Sequence, residues 1–266
     1  MNFRWQRAWA VFWKDFLDLR KNRGLLGSML TLPATLVLVP VGVIYSYVRN
    51  PDDPALRTMA VYYDSHLPLG ASAARFLVER TLTDWFGLFL VMPLFVPILI
   101  SSHSVAGEKE RRTLEPLLAS PATAGEILAG KTMAALLPAL VISWLAFFAM
   151  CAAVDAVGWP LVHAPLLPNG MWMFGMVVIA PLFAFFGNLV AVTMSARLGE
   201  TRLAQQFSGL VTLPLLGLVG GQAAGLLRAG TTYYAIEGAV ILVLDLVMLR
   251  VSVRLFDRER LMARWA

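Results

Sequence analysis

Histidine, cysteine and charge are all scarce in this 266-residue chain: three histidines, one cysteine, and 15% charged residues against 58% hydrophobic ones. A single cysteine, Cys151, excludes an intrachain disulfide and says nothing of redox compartment. His66, His103 and His163 stand apart, with no H-x-x-x-H spacing, so no zinc site is legible. Soluble domains carry about 25% charged residues, and this chain has too few to coat a core of its size. Residues 1–23 lack a short apolar core before a small-residue cleavage site, so they do not read as a secretory signal peptide. There is also no internal repeat and no low-complexity tract.

What the chain has instead is long apolar runs, with a mean hydropathy of +0.68. A helix crossing the hydrocarbon layer needs about 20 mostly apolar residues. Six such runs occur: Leu25–Val48, Trp85–Ser104, Ile127–Val154, Met171–Ser195, Phe207–Leu227 and Tyr234–Val253. They are continuous, whereas a membrane barrel shows short alternating segments. The expected fold is an all-α membrane protein with six transmembrane helices, forming one membrane domain over residues 1–266. Seventeen of the 22 Lys and Arg residues fall in the end segments and in the loops after spans two and four, and five fall on the other side. The positive-inside rule therefore predicts both termini in the cytoplasm. The pI of about 9.7 calls for no nucleic-acid partner, because anionic inner-leaflet lipid explains it equally well.

Residues 1–23 form a cytoplasmic segment whose helical stretch places Trp5, Trp9, Phe12, Trp13, Phe16 and Leu17 on one face and Arg7, Lys14, Asp18 and Lys21 on the other. That pattern fits an interfacial helix lying on the membrane, or an amphipathic helix packed on another subunit. The outer loop 49–84 opens with the turn signal Asn50-Pro51-Asp52-Asp53-Pro54, and its part Ala71–Leu82 reads as a helix along the outer surface. A second outer loop, Asp155–Gly170, contains Pro160, Pro165 and Pro168 and is expected to be irregular. In the fifth run, Pro214 precedes Gly217, Gly220, Gly221 and Gly225. This predicts either a broken or re-entrant helix or simply close packing.

The segment 105–123, on the cytoplasmic side between spans two and three, is the most informative. Glu108 and Arg112 are spaced i, i+4 for mutual support on a helix, and Leu114, Leu117 and Leu118 follow as an apolar stripe. A short helix of this kind suits a groove on a cytosolic partner. The run from Gly107 to Pro121, Gly-Glu-Lys-Glu-Arg-Arg-Thr-Leu-Glu-Pro-Leu-Leu-Ala-Ser-Pro, is followed by Glu126 and Gly130-Lys131. It closely resembles the coupling segment of ABC transporter permeases of the type-2 exporter family, with Arg112 where that pattern commonly has glycine. The resemblance implies an exporter permease of the cytoplasmic (inner) membrane of a prokaryote, working as a homodimer or as a heterodimer with a paralogue. Two copies of a separate ATPase subunit would hold the ATP and magnesium, leaving this chain without catalytic residues, cofactor or metal. Thr113, Leu114, Leu117 and Leu118 are then the expected groove contacts, with Glu108, Glu110, Arg111 and Glu115 at the rim. Glu200 and Arg202, in the short loop after span four, form an expected second contact.

Two strings mislead. Gly125-Glu-Ile-Leu-Ala-Gly130-Lys131-Thr132 satisfies a phosphate-loop pattern, but Ser120-Pro121-Ala122-Thr123 precedes it rather than a strand, and a membrane span follows. Val219-Gly220-Gly221-Gln222 echoes an ABC ATPase signature inside an apolar run. Polar groups within the spans are candidates for function by default: His103, Asn188, Gln222, Glu237 and Asp245. His103 and Glu237 are expected near hydrated membrane edges. Asp245 is expected to pair with Arg250 or bond to Asn188, unless it belongs to an ion-coupling site. A secondary transporter using Glu237 and Asp245, or a membrane-embedded hydrolase dependent on Glu108, are the rival readings.

Overall fold

The computed structural model describes residues 3–65, 67–68, 71–113, 120–223 and 230–255, with the side chains of 222, 223 and 231 excepted. Every regular element among them is helical. In chain order they are α1 (Trp5–Lys21), α2 (Arg23–Arg49), α3 (Pro54–Tyr63), α4 (Ala73–Ser101), α5 (Ala106–Glu110) and α6 (Ala124–Val162). Then follow α7 (Gly170–Leu198), which contains one π turn at Gly175–Ile179, α8 (Thr201–Ala223) and α9 (Thr231–Leu255). Five described helical stretches are long and apolar enough to cross a membrane: Arg23–Arg49, Ala73–Glu110, Ala124–Val162, Gly170–Leu198 and Thr201–Gly221. The sixth expected span lies within α9, which is not among those five; Glu237, Asp245 and Arg250 interrupt its apolar run.

α4 and α7 form the centre. Their most apolar stretches are 67% and 72% buried, against 22%, 33% and 28% for α2, α6 and α8, which flank them. The central pair touches backbone to backbone at Gly187, where any Cβ would run into the Leu94 carbonyl. Above that contact, Trp172 is fully buried and gathers rings from two other helices. Its centroid lies 4.9 Å from Phe86 and 5.3 Å from Phe89, both of α4, and 6.0 Å from Phe147 of α6. Tyr234 of α9 closes the group, 4.5 Å from Phe86. Such ring pairs contribute about 0.5–1.5 kcal/mol each beyond their buried area.

Several boundaries depart from expectation. Ala71–Leu82 does not lie along the outer surface. Ser72 accepts from the Arg75 amide and starts α4 there, and Ala73, Ala74, Leu77 and Val78 pack inward, so this stretch is the N-terminal end of the second long helix. α6 likewise continues through Pro160 to Val162, beyond the expected start of an irregular loop, and ends at His163 in the left-handed conformation (φ 54°). Pro214 does not end α8, which stays helical from Thr201 to Ala223. The turn at Asn50–Pro54 forms as expected, with the Asp53 carboxylate accepting from the Ala55 amide and Pro54 opening α3.

Candidate functional site

The segment after α4 is gripped from four directions. At the exit of α4, Ser195 of α7 accepts from the backbone amides of Val105 and Ala106 at 3.1 and 2.9 Å and donates to the Ser102 carbonyl at 2.8 Å. This one buried hydroxyl fixes where the short helix α5 begins. On α5, Glu108 turns inward and is 7% exposed. Its Oε1 meets Lys14 Nζ of α1, and lies 3.1 Å from Lys131 Nζ of α6.

Lys131 completes the group. Only 1% of its side chain is exposed, and Nζ reaches Asp15 Oδ2 of α1 at 3.1 Å and the Ser104 carbonyl at 2.9 Å. Two cations thus face two carboxylates across three helices, a balance that burial demands because an unpaired charge there is costly. Burial alone would lower the pKa of Lys14, but the charges of Asp15 and Glu108 outweigh it and hold the ammonium above its ordinary value of 10.5.

α1 comes close enough for this because Gly130 has no side chain. A Cβ there would strike the Ala8 carbonyl and Val11. The Gly-Lys pair that resembles a phosphate loop is thereby accounted for: it lies within helix α6, with its glycine admitting α1 and its lysine committed to Asp15 and Glu108. Glu126, one turn earlier, forms a capping box with Thr123 and accepts from the Arg4 amide at 2.7 Å. Arg7 lies 3.8 Å from Glu126 and donates to the Pro121 carbonyl at 2.7 Å. α1 therefore touches both ends of the segment between α4 and α6.

The expected apolar face of α1 is divided. Phe12 is buried with Ala8, Val11 and Leu19, whereas Trp5, Trp9, Trp13 and Leu17 are exposed.

Glu110 points the other way from Glu108. Its exposed carboxylate accepts from the Thr201 amide at 2.9 Å, at the first turn of α8. Arg111 is exposed, and Thr113 folds back, donating its amide (2.8 Å) and hydroxyl (3.3 Å) to the Glu108 carbonyl. Arg112 does not support Glu108 from within a helix as the spacing suggested. α5 ends at Glu110, and Arg112 sits in the left-handed region at φ 58°. That conformation explains why glycine suits this position.

A cavity of about 120 Å³ opens beside the ionic cluster, lined by Asp18, His103 and Arg111 among others. A wider groove continues from it between the starts of α2 and α8, where Ser28, Glu200, Arg202 and Gln205 line it and the last three belong to, or adjoin, α8. Leu114, Glu115, Leu117 and Leu118 lie outside the described residues, as does the side chain of Gln222.

The polar groups of the spans are arranged differently from expectation. Asn188 is fully buried and accepts from Ser101 Oγ of α4 at 2.6 Å. Asp245 bonds neither to it nor to Arg250: among the described residues its carboxyl has no hydrogen-bond partner. Glu237 is also buried, 5% exposed, with both oxygens unpartnered among those residues. His103 is half-buried, its Nδ1 2.9 Å from the Leu99 carbonyl. Among the described residues no cluster of His, Cys, Asp or Glu is arranged to hold a metal ion.

Lys14, Asp15 and Ser195 were missed by the sequence reasoning. Lys14 and Asp15 read as part of a surface helix, and Ser195 as the last polar residue of a span.

No curated protein matches the chain. Residues 9–257 match the family described as ABC-2 family transporter protein, which is nearly the whole length. With five helices apolar enough to span a bilayer, the chain belongs to the ABC-2 transporter family, as a multi-pass membrane permease.

Proposed function

We propose that this chain is the membrane subunit of an ATP-driven exporter and that it engages a separate ABC ATPase through the segment between α4 and α6. The observation that carries this reading is the clamping of that segment: Glu108 is bound to α1 and α6 through Lys14 and Lys131, and Glu110 to α8. A loop gripped by four helices is in a position to move them when a partner moves it. The partner binds the ATP and magnesium; this chain supplies the pathway. α9 serves as the sixth crossing, both termini face the cytoplasm, and α1 lies in the inner-leaflet interface with Trp5, Trp9 and Trp13 toward lipid, in keeping with their exposure. Two permease chains surround the pathway and two ATPase subunits dock beneath, in the inner membrane of a prokaryote. Thr113, Leu114, Leu117 and Leu118 enter the ATPase groove, with Arg111, Glu115, Glu200 and Arg202 around it. Glu108 and Glu110, placed by the expectation at the rim, act from within the permease.

The experiment is co-purification. Replacing Leu114 and Leu117 with aspartate is expected to abolish recovery of an ABC ATPase with the tagged chain while membrane insertion persists. Undiminished recovery would remove this segment from the interface.

A further inference from the structure

α5 carries two acids separated by Lys109, and they serve different helices. Glu108 is buried and bound to Lys14 and Lys131. Glu110 is exposed and reaches across to the start of α8, where it accepts from the Thr201 amide at 2.9 Å. The first-turn amides of a helix have no intrahelical partner, and a carboxylate there is favoured by the helix dipole. Glu110 supplies from another element what a local cap ordinarily supplies.

The connection on the other side of Thr201 is short and bent. Gly199 lies at φ 66° directly after α7, and Glu200 is the one residue between it and α8. A two-residue link of this kind absorbs rotation of one helix against the next. α8 also has room on one flank, since the groove lined by Asn22, Ser28 and Gln205 separates its start from that of α2. α8 is therefore hinged at Gly199 and held at its tip by Glu110.

We infer that Glu110 is a positioning residue that ties α8 to the coupling segment, so that displacement of α5 swings α8 about Gly199 and changes the width of the groove between α2 and α8. Glu108 anchors the same segment to α1 and α6, which move with α5 as one unit, and its side chain makes no hydrogen bond to α8 among the described residues. The inference rests on the proposed role of the segment as the ATPase contact.

The test uses the chain together with its co-purified ATPase, with Cys151→Ser and spin labels at Ser28→Cys and Gln205→Cys. Trapping with ATP and vanadate is expected to shift the distance between the labels. Glu110→Ala should remove most of that shift while co-purification and ATP hydrolysis stay within about twofold of the parent, a change that leaves turnover nearly untouched. Glu110→Gln should restore it, because its amide oxygen still accepts from Thr201. In the permease alone, Glu110→Ala should speed exchange of the Thr201 amide by roughly tenfold, the scale of a lost cap, and Glu110→Gln should not. A full shift in Glu110→Ala overturns the inference, as does Glu110→Gln behaving like Glu110→Ala. A parent chain that binds no ATPase overturns the functional reading and this inference with it, whereas normal binding and turnover with an unchanged shift overturns this inference alone.

Discussion

Lys131 of α6 and Glu108 of α5 meet as an ion pair at 3.1 Å with 1% of the lysine side chain and 9% of the glutamate side chain exposed. The lysine also holds Asp15 and the Ser104 carbonyl, so the pair is the point at which α1, α5 and α6 become one unit.

Removing the lysine is therefore expected to be severe. Lys131→Met leaves two carboxylates facing Lys14 alone and should destabilise the chain by about 3 kcal/mol, the lower end for breaking a buried pair. Thermal unfolding in detergent measures this. The double variant Glu108→Gln/Lys131→Met should lose clearly less than the sum of the two single changes. Additive losses would mean that the two residues do not interact.

Gly130 is expected to be equally intolerant, for a steric reason. Gly130→Val should push α1 off α6, at a cost of about 1–3 kcal/mol typical of overpacking. Amide exchange should then lose protection in α1 while the α4–α7 centre keeps it. Unchanged protection of α1 would contradict the close approach to Ala8 and Val11.

Arg112 offers a change in the opposite direction. A non-glycine residue in the left-handed region costs roughly 1–2 kcal/mol, so Arg112→Gly should stabilise the folded chain by about 1 kcal/mol. Arg112→Val should destabilise it, since a β-branched side chain fits that region worst. Melting temperatures of the three forms decide it, and equal values would show that φ at this position is not held.

The Lys14 contact carries a pH signature. Its pKa is raised in the folded chain, so the stabilisation it brings is fully present below the ordinary lysine value of 10.5 and is lost as pH rises through the higher folded value. Proteolytic release of α1 is thus expected to begin only on strongly alkaline titration on the high-pH side. Lys14→Met should abolish that alkaline transition. Release of α1 at mildly alkaline pH in the parent chain would contradict the raised value.

Legibility followed the range of the forces involved. The apolar runs were readable because a helix that spans lipid must satisfy its own backbone and present apolar side chains over about 20 residues, which is local information. The segment 105–123 was readable through its resemblance to a family's residue pattern, and Glu126, Gly130 and Lys131 stood within that pattern before any reason for them was visible. The reasons were not readable. Gly130 and Lys131 make sense only once Ala8, Val11 and Asp15 lie against them, contacts between residues far apart in the chain. The N-terminal end of α4 was misread because Ala71–Leu82 carries enough polar residues to suggest a surface segment, whereas burial of Ala73, Ala74, Leu77 and Val78 against neighbouring elements extends the helix.

By itself the sequence determined a helical membrane protein with long apolar runs, and the segment whose residues resemble those of type-2 ABC permeases. The first follows from composition and apolar run length, the second from a resemblance to that family's residue pattern. Tertiary structure alone decided how the acids of α5 are used. Glu108 and Glu110 are near-identical neighbours in sequence, yet one is buried against two lysines and the other caps a distant helix. That difference comes from the direction in which a five-residue helix leaves α4, set by Ser195 of α7, and no local pattern encodes it.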